Sequence, residues 1–197
     1  MKRSLKAIFS ALFAISASIL LASCSLLSGE EGTVRDTVDN TMKIFRYAEN
    51  SDAESFADQN TIDTLSAYGV DANEFLGYCF KNLKWEIGDV KLSGNSGTVV
   101  ISITNINLGT ALDMAGERFA EYAETDEAQD LFNEEGERAL VKKLFEFFYE
   151  IVDAGEIETT TSEVTLQVYK NDDGTWEVDS DNDAFYRALY GGANFNF

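Results

Sequence analysis

Leu83-Lys84-Trp85-Glu86-Ile87-Gly88 and, past a turn at Gly94-Asn95-Ser96-Gly97, Val99-Val100-Ile101-Ser102-Ile103-Thr104 form the stretch on which the fold turns. Leu83, Trp85 and Ile87 alternate with Lys84, Glu86 and Gly88, and Val99, Ile101 and Ile103 alternate with Val100, Ser102 and Thr104. A period of two with glycines between the runs predicts a β-hairpin with one buried face. The pattern recurs near the other end of the chain. In Glu163 to Tyr169 the residues Val164, Leu166 and Val168 share a face. After the turn Asn171-Asp172-Asp173-Gly174, Thr175 to Asp179 brings Trp176 and Val178 to the same side.

Between and around the hairpins the period lengthens. Val34, Val38, Thr41, Phe45 and Ala48 predict an amphipathic helix from about Thr33 to Glu49. Ser51-Asp52-Ala53-Glu54 has the form of a capping box opening a short helix through Asp58. Asp71 is placed to cap a third helix carrying Phe75, Leu76 and Cys79. Leu108, Leu112, Ala115, Phe119 and Tyr122 mark another helix, and a long one is expected from about Glu127 to Asp153. A short helix, Asp183 to Leu189, precedes Gly191-Gly192. Antiparallel hairpins separated by helical blocks predict one α+β domain over residues 34–197: a curved antiparallel sheet of about four strands packed against helices.

The opening helix and its acidic successor (RDTVDNTMKIFRYAENSDAESFAD), the hairpin ending VVISITNIN and the closing DGTWEVDSDNDAFYRALYGG resemble lipoproteins of the nuclear-transport-factor-two-like (cystatin-like) superfamily. The closing stretch carries most of the likeness. The block from Leu108 to Asp153 is longer than that compact fold requires. The resemblance implies a cone-shaped domain whose sheet wraps around helices, sometimes around a cavity. Its members include enzymes, ligand binders and interaction modules, so the fold does not choose a function.

The first 23 residues have the layout of a signal peptide. Lys2, Arg3 and Lys6 precede an apolar run from Ala7 to Leu21, which is shorter than the roughly 20 residues a membrane span needs. Leu21-Ala22-Ser23-Cys24 matches a lipobox. Small side chains before the cut suit a narrow protease groove, and the Cys24 thiol accepts a diacylglyceryl group and then becomes the acylated N-terminus. Two or three acyl chains, palmitate among them, anchor stably where one does not. Residues 24–33 then form a lipidated end and polar tether. The expectation is a lipid-anchored protein on the extracytoplasmic face of a cell membrane. Cleavage removes three basic residues and leaves 12 against 35 acidic ones, a net charge of -23.

That charge disfavours phosphate backbones, which need clustered Lys and Arg, so no nucleic-acid partner is expected. The chain has no histidine, hence no Ser-His-Asp or Cys-His system and no imidazole metal ligand. None of the inward strand positions Leu83, Trp85, Ile87, Val99, Ile101, Ile103, Val164, Leu166, Val168, Trp176 and Val178 is ionisable. An acid–base site would need Asp89 to turn inward, or Asp36 or Tyr47 to reach in from the opening helix. No catalytic residue, cofactor or metal is therefore expected. Asp179-Ser180-Asp181-Asn182-Asp183 alternates carboxylates as calcium loops do, but Ala184 and Tyr190 stand where an EF-hand loop needs Gly and Glu. It reads as a loop with Asp181 or Asp183 capping the last helix. Cys79, in an apolar stretch, reads as a buried thiol.

Leu144-Phe145-Glu146-Phe147-Phe148-Tyr149-Glu150-Ile151-Val152 carries apolar residues around more of a helix than one core-facing stripe requires. Either its own domain covers this helix on two sides, or Phe145, Phe147, Phe148 and Tyr149 offer an aromatic surface to a partner. The functional expectation is a non-catalytic protein that binds a protein or envelope component near the membrane. The alternatives are a binder of a small apolar ligand between sheet and helices, then an acid–base enzyme.

Overall fold

The computed structural model describes residues 29–50, 53, 56, 59–179 and 181–193. Four strands, β1 (Lys84–Ser93), β2 (Ser96–Ile106), β3 (Thr159–Lys170) and β4 (Trp176–Val178), form one antiparallel sheet in chain order. The first turn is tight. Ser93 pairs with Ser96 across Gly94 and Asn95, and Gly94 has φ 62°, the positive value that a two-residue type II′ turn demands of its first central residue. β2 and β3 pair from Ser96↔Tyr169 to Ile106↔Thr159 without interruption.

β1 carries a bulge. Ile87 faces Ile101 but Val90 faces Val99, so one extra residue sits on β1. Its effect is a change of phase: Trp85 and Ile87 pack towards the core before it, Val90 and Leu92 after it, and Asp89 is left exposed. Of the inward positions expected from alternation, Leu83, Val99, Ile101, Ile103, Val164, Leu166, Val168 and Trp176 are buried. Trp85, Ile87 and Val178 are partly buried against the same core.

Seven α-helices accompany the sheet among the described residues: α1 (Glu30–Arg46), α2 (Gln59–Ala67), α3 (Ala72–Phe80), α4 (Leu108–Tyr122), α5 (Asp126–Glu135), α6 (Glu137–Ala154) and α7 (Asp183–Leu189). α1 packs on β1 and β4, and α7 on β3 and β2, so these two cover the sheet. α1 puts Val34, Val38, Met42 and Phe45 into the core. It starts at Glu30, three residues before the expected Thr33, with Glu30 and Glu31 in its first turn, where carboxylates complement the helix dipole. Lys170 pairs with Glu30, and Arg35 bonds both Glu31 and the Ile87 carbonyl.

α2 was not expected; with only Thr61 and Leu65 buried, it has a weak apolar stripe. The helix expected over 51–58 falls, except for Ala53 and Phe56, outside the described residues. The single long helix expected from Glu127 to Asp153 is two helices. Gly136, at φ 80° and ψ -170°, breaks it in a conformation open essentially to glycine alone. α4 leaves from the end of β2 and α6 returns to the start of β3, so α4–α6 form a helical block at the end of the sheet opposite the hairpin turns. α4 and α6 pack on each other, and α6 also touches α3.

A buried asparagine ties this end together. Asn105 continues the inward phase of Val99, Ile101 and Ile103 and is wholly enclosed. Its amide nitrogen donates to the carbonyls of Cys79 (3.0 Å) and Leu189 (2.7 Å), and its oxygen accepts from the Ile106 N–H (2.9 Å). Polar groups left bare at this depth would each cost about 1–3 kcal/mol, so the end of α3, the end of β2 and the end of α7 are joined through one side chain.

Candidate functional site

The aromatic run on α6 is covered by its own domain on both sides. Phe145 and Phe148 meet Phe75 of α3 with ring centroids 5.4 and 5.5 Å apart. Phe147 turns the other way, edge-on to Tyr122 of α4 at 5.6 Å. The guanidinium of Arg118 lies 4.4 Å from the Phe147 ring centroid and the Lys143 ammonium 5.2 Å from it, and Arg118 also pairs with Glu150. Phe145, Phe147 and Phe148 are each buried. Of the two readings open for this run, cover by its own domain holds at these three positions, and they are not available as the partner surface: partners on α3 and α4, distant in sequence, fill both flanks of the helix.

Tyr149 alone of the four reaches an accessible surface. It stacks on Tyr78 at 4.2 Å with planes 17° apart, and the pair floors an open groove of about 550 Å³ with Glu146, Glu150, Asp153 and Ala154. Asp153 accepts from the Tyr78 hydroxyl at 3.4 Å and pairs with Lys81, whose ammonium also sits over the Tyr78 ring. Glu146 pairs with Lys143. Each carboxylate of the groove thus already has a cation of its own. These pairs are about half-exposed, so each is worth at most about 1 kcal/mol and is easily exchanged.

The Tyr149 hydroxyl is buried and has no hydrogen-bond partner. Burial, with the carboxylates of Glu74 and Asp71 nearby, holds this phenol far above its ordinary range. Tyr78 is also raised, first by burial and then by Asp153. Both phenols remain protonated at neutral pH, and the Tyr78 hydroxyl donates to Asp153. What the groove offers is a flat aromatic stack rimmed by exchangeable ion pairs.

A second depression, about 280 Å³, is lined by Ala53, Ile62, Ser66, Val70, Asp71, Ala72 and Asn73. The Asp71 carboxylate there is committed to capping α3, accepting from the N–H groups of Asn73 and Glu74, as its place in the sequence led one to expect. The Asn73 side-chain oxygen is buried without a partner.

Cys24 and the residues read as a signal peptide lie outside the described residues. The residues weighed for acid–base chemistry do not converge: Asp89 sits in the bulge, Asp36 is exposed on α1, and Tyr47 is 51% exposed. At the acidic loop before α7 the helix cap is Asn182, which accepts from the Phe185 N–H at 3.1 Å, in place of Asp181 or Asp183. Asp179 accepts from the Asp181 N–H, a local turn contact. Among the described residues no group of three His, Cys, Asp or Glu side chains is arranged to hold a metal ion. Cys79 is buried, and burial pushes its thiol far above the ordinary value. Among the described residues no helix is long and apolar enough to cross a membrane. Asn105 and Tyr78 escaped the sequence reading. Asn105 was visible as the polar member of an inward phase, whereas nothing local marked Tyr78 as the partner of Tyr149.

No family model and no curated protein sequence matches the chain. Among solved structures it is similar to a candidate lipoprotein of Bacillus subtilis, YcdA, at 13% identity and a TM-score of 0.52. The match takes in 81% of this chain and 55% of that one, so the chain spans little more than half the length of YcdA. At that identity the likeness speaks for a shared fold: an α+β domain with helices packed on a four-stranded antiparallel sheet.

Proposed function

We propose that this chain is a lipid-anchored protein on the extracytoplasmic face of a cell membrane, whose domain works by binding a protein or another envelope component. The observation that carries the reading is the quartet Leu21-Ala22-Ser23-Cys24 behind a basic start and a short apolar run. That order of charge, apolar length and small residues serves export followed by acylation of the cysteine. The candidate-lipoprotein standing of the similar Bacillus subtilis protein adds support. We read the domain as nuclear-transport-factor-two-like, or cystatin-like. A four-stranded meander laid against a leading helix, closed by a short helix and paired glycines, favours that reading.

Binding is favoured over catalysis by what fills the interior. Between sheet and helices lie Met42, Phe45, Phe80, Ile101, Leu166 and their neighbours, and the buried Asn105 has its hydrogen bonds satisfied within the chain. This packing also speaks against an apolar ligand held between sheet and helices. The surface best suited to a partner is the Tyr78–Tyr149 groove, where the stacked rings supply apolar contact and Tyr78 supplies a hydroxyl.

The test is radiolabelled palmitate incorporation and membrane fractionation of the full chain beside Cys24→Ala. Label and membrane recovery in the parent, both lost in the variant, are the expected result. A parent recovered unlabelled in the soluble fraction would overturn the reading.

A further inference from the structure

We propose that the domain stands on the membrane with its hairpin turns towards the lipid and its helical block away from it; this orientation rests on the reading of Cys24 as the lipidated residue. Six residue steps separate Cys24 from Glu30, the first residue of α1. Fully extended, they span about 20 Å. The start of α1 is therefore the part of the domain that the anchor holds closest to the bilayer.

Four contacts define what else lies at that end. Glu30 pairs with Lys170, the last residue of β3. The Lys170 N–H donates to the Asn95 carbonyl in the β1–β2 turn at 2.8 Å. The β3–β4 turn follows at once, with the Asn171 side chain accepting from the N–H groups of Asp173 and Thr175. The start of α1 and both hairpin turns thus share one end of the molecule.

β2 carries the chain away from this end for 11 residues. At about 3.3 Å each, that places Ile106 roughly 33 Å further out. There α4 departs and α6 returns, and there α3 ends just before β1 begins. The Tyr78–Tyr149 groove lies towards the same end, since Lys81 and Asp153, which pair beside it, stand three residues before β1 and six before β3. A tether of about 20 Å cannot bring that end to the bilayer while the sheet is upright. A net charge near -23 keeps the domain as a whole off anionic headgroups, so the short tether decides which end lies nearest. The hairpin end faces the lipid without inserting: Glu30, Glu31, Asp172 and Asp173 stand there with Lys170. The groove is thereby presented to the envelope space.

The experiment uses the full chain, purified from membranes and placed in phosphatidylcholine–phosphatidylglycerol vesicles whose headgroups carry a nitroxide. A fluorophore is attached through Asp172→Cys in the β3–β4 turn or Glu156→Cys between α6 and β3, both exposed positions. The buried Cys79 is left unlabelled, and circular dichroism checks that each variant is folded. The expected result is quenching several-fold stronger at position 172 than at 156. Equal quenching, or stronger quenching at 156, in protein recovered from the membrane fraction overturns the orientation while leaving the anchor intact. A chain not recovered with membranes, in parent and variants alike, overturns the anchor and the orientation together.

Discussion

The Asn105 side-chain nitrogen donates to the Leu189 carbonyl at 2.7 Å, joining the end of β2 to the last turn of α7 across 84 positions of sequence. Asn105→Ala strands that carbonyl, the Cys79 carbonyl and the Ile106 N–H in an enclosed site. We expect a loss of about 2–4 kcal/mol in urea denaturation. Hydrogen exchange in α7 should accelerate more than exchange at the Gly94–Asn95 turn. Equal acceleration would mean that Asn105 does not specifically hold α7.

Gly191 and Gly192 both have positive φ, yet substitution at them should differ sharply. A Cβ on Gly191 would lie 1.9 Å from the Ile106 carbonyl oxygen, whereas one on Gly192 meets nothing nearer than a Thr160 methyl at 3.7 Å. Gly192→Ala should cost about 1 kcal/mol, the ordinary charge for a side chain in left-handed backbone. Gly191→Ala must move backbone and should cost upwards of about 3 kcal/mol. Comparable melting temperatures for the two variants would refute the close approach.

Cys79 makes stability fall in alkali. Burial raises its thiol from an ordinary value of 9.0, so the folded chain keeps a proton that the unfolded chain releases. The resulting contribution is fully present below pH 9 and shrinks as pH climbs beyond it, by up to about 1.4 kcal/mol per pH unit. Tyr149 and Tyr186 act in the same direction above their ordinary 10.0. Urea midpoints measured upward from pH 8 should decline, and Cys79→Ala should decline less steeply between pH 9 and 10. Ellman's reagent should find the thiol only after unfolding.

Arg118 covers Phe147 and reaches Glu150. Arg118→Ala should cost about 1 kcal/mol, mostly from the uncovered ring. Because the ion pair is half-exposed, a double-mutant cycle with Glu150→Gln should give a coupling below about 1 kcal/mol that fades in salt. Salt-independent coupling would assign the stabilisation to packing.

Much of this fold was legible because strand alternation is local. Val99, Ile101 and Ile103, or Val164, Leu166 and Val168, announce a buried face whatever lies opposite. The closing helix Asp183–Leu189 was equally plain from the paired glycines after it, although its cap is Asn182 in place of the expected Asp181 or Asp183. The break at Gly136 was not, since one glycine inside a helical pattern costs only about 1 kcal/mol and does not by itself say that the helix stops. The aromatic run on α6 stated its need for cover but not the source, which is Phe75 on one side and Tyr122 on the other. The groove depends on the stacking of Tyr78 on Tyr149, which no periodicity encodes.

α7 follows every other described helix and strand in chain order, yet Phe185, Leu189 and Tyr190 are buried in the core that the sheet builds. A chain emerging residue by residue can pair its hairpins early, but the two carbonyls that Asn105 serves lie 110 residues apart in sequence and cannot both be met until α7 has appeared. Until Asp183–Leu189 has been made, the sheet stays unsealed at this end. A chain interrupted before Asp183 should therefore keep an open core edge and remain a target for proteases and chaperones.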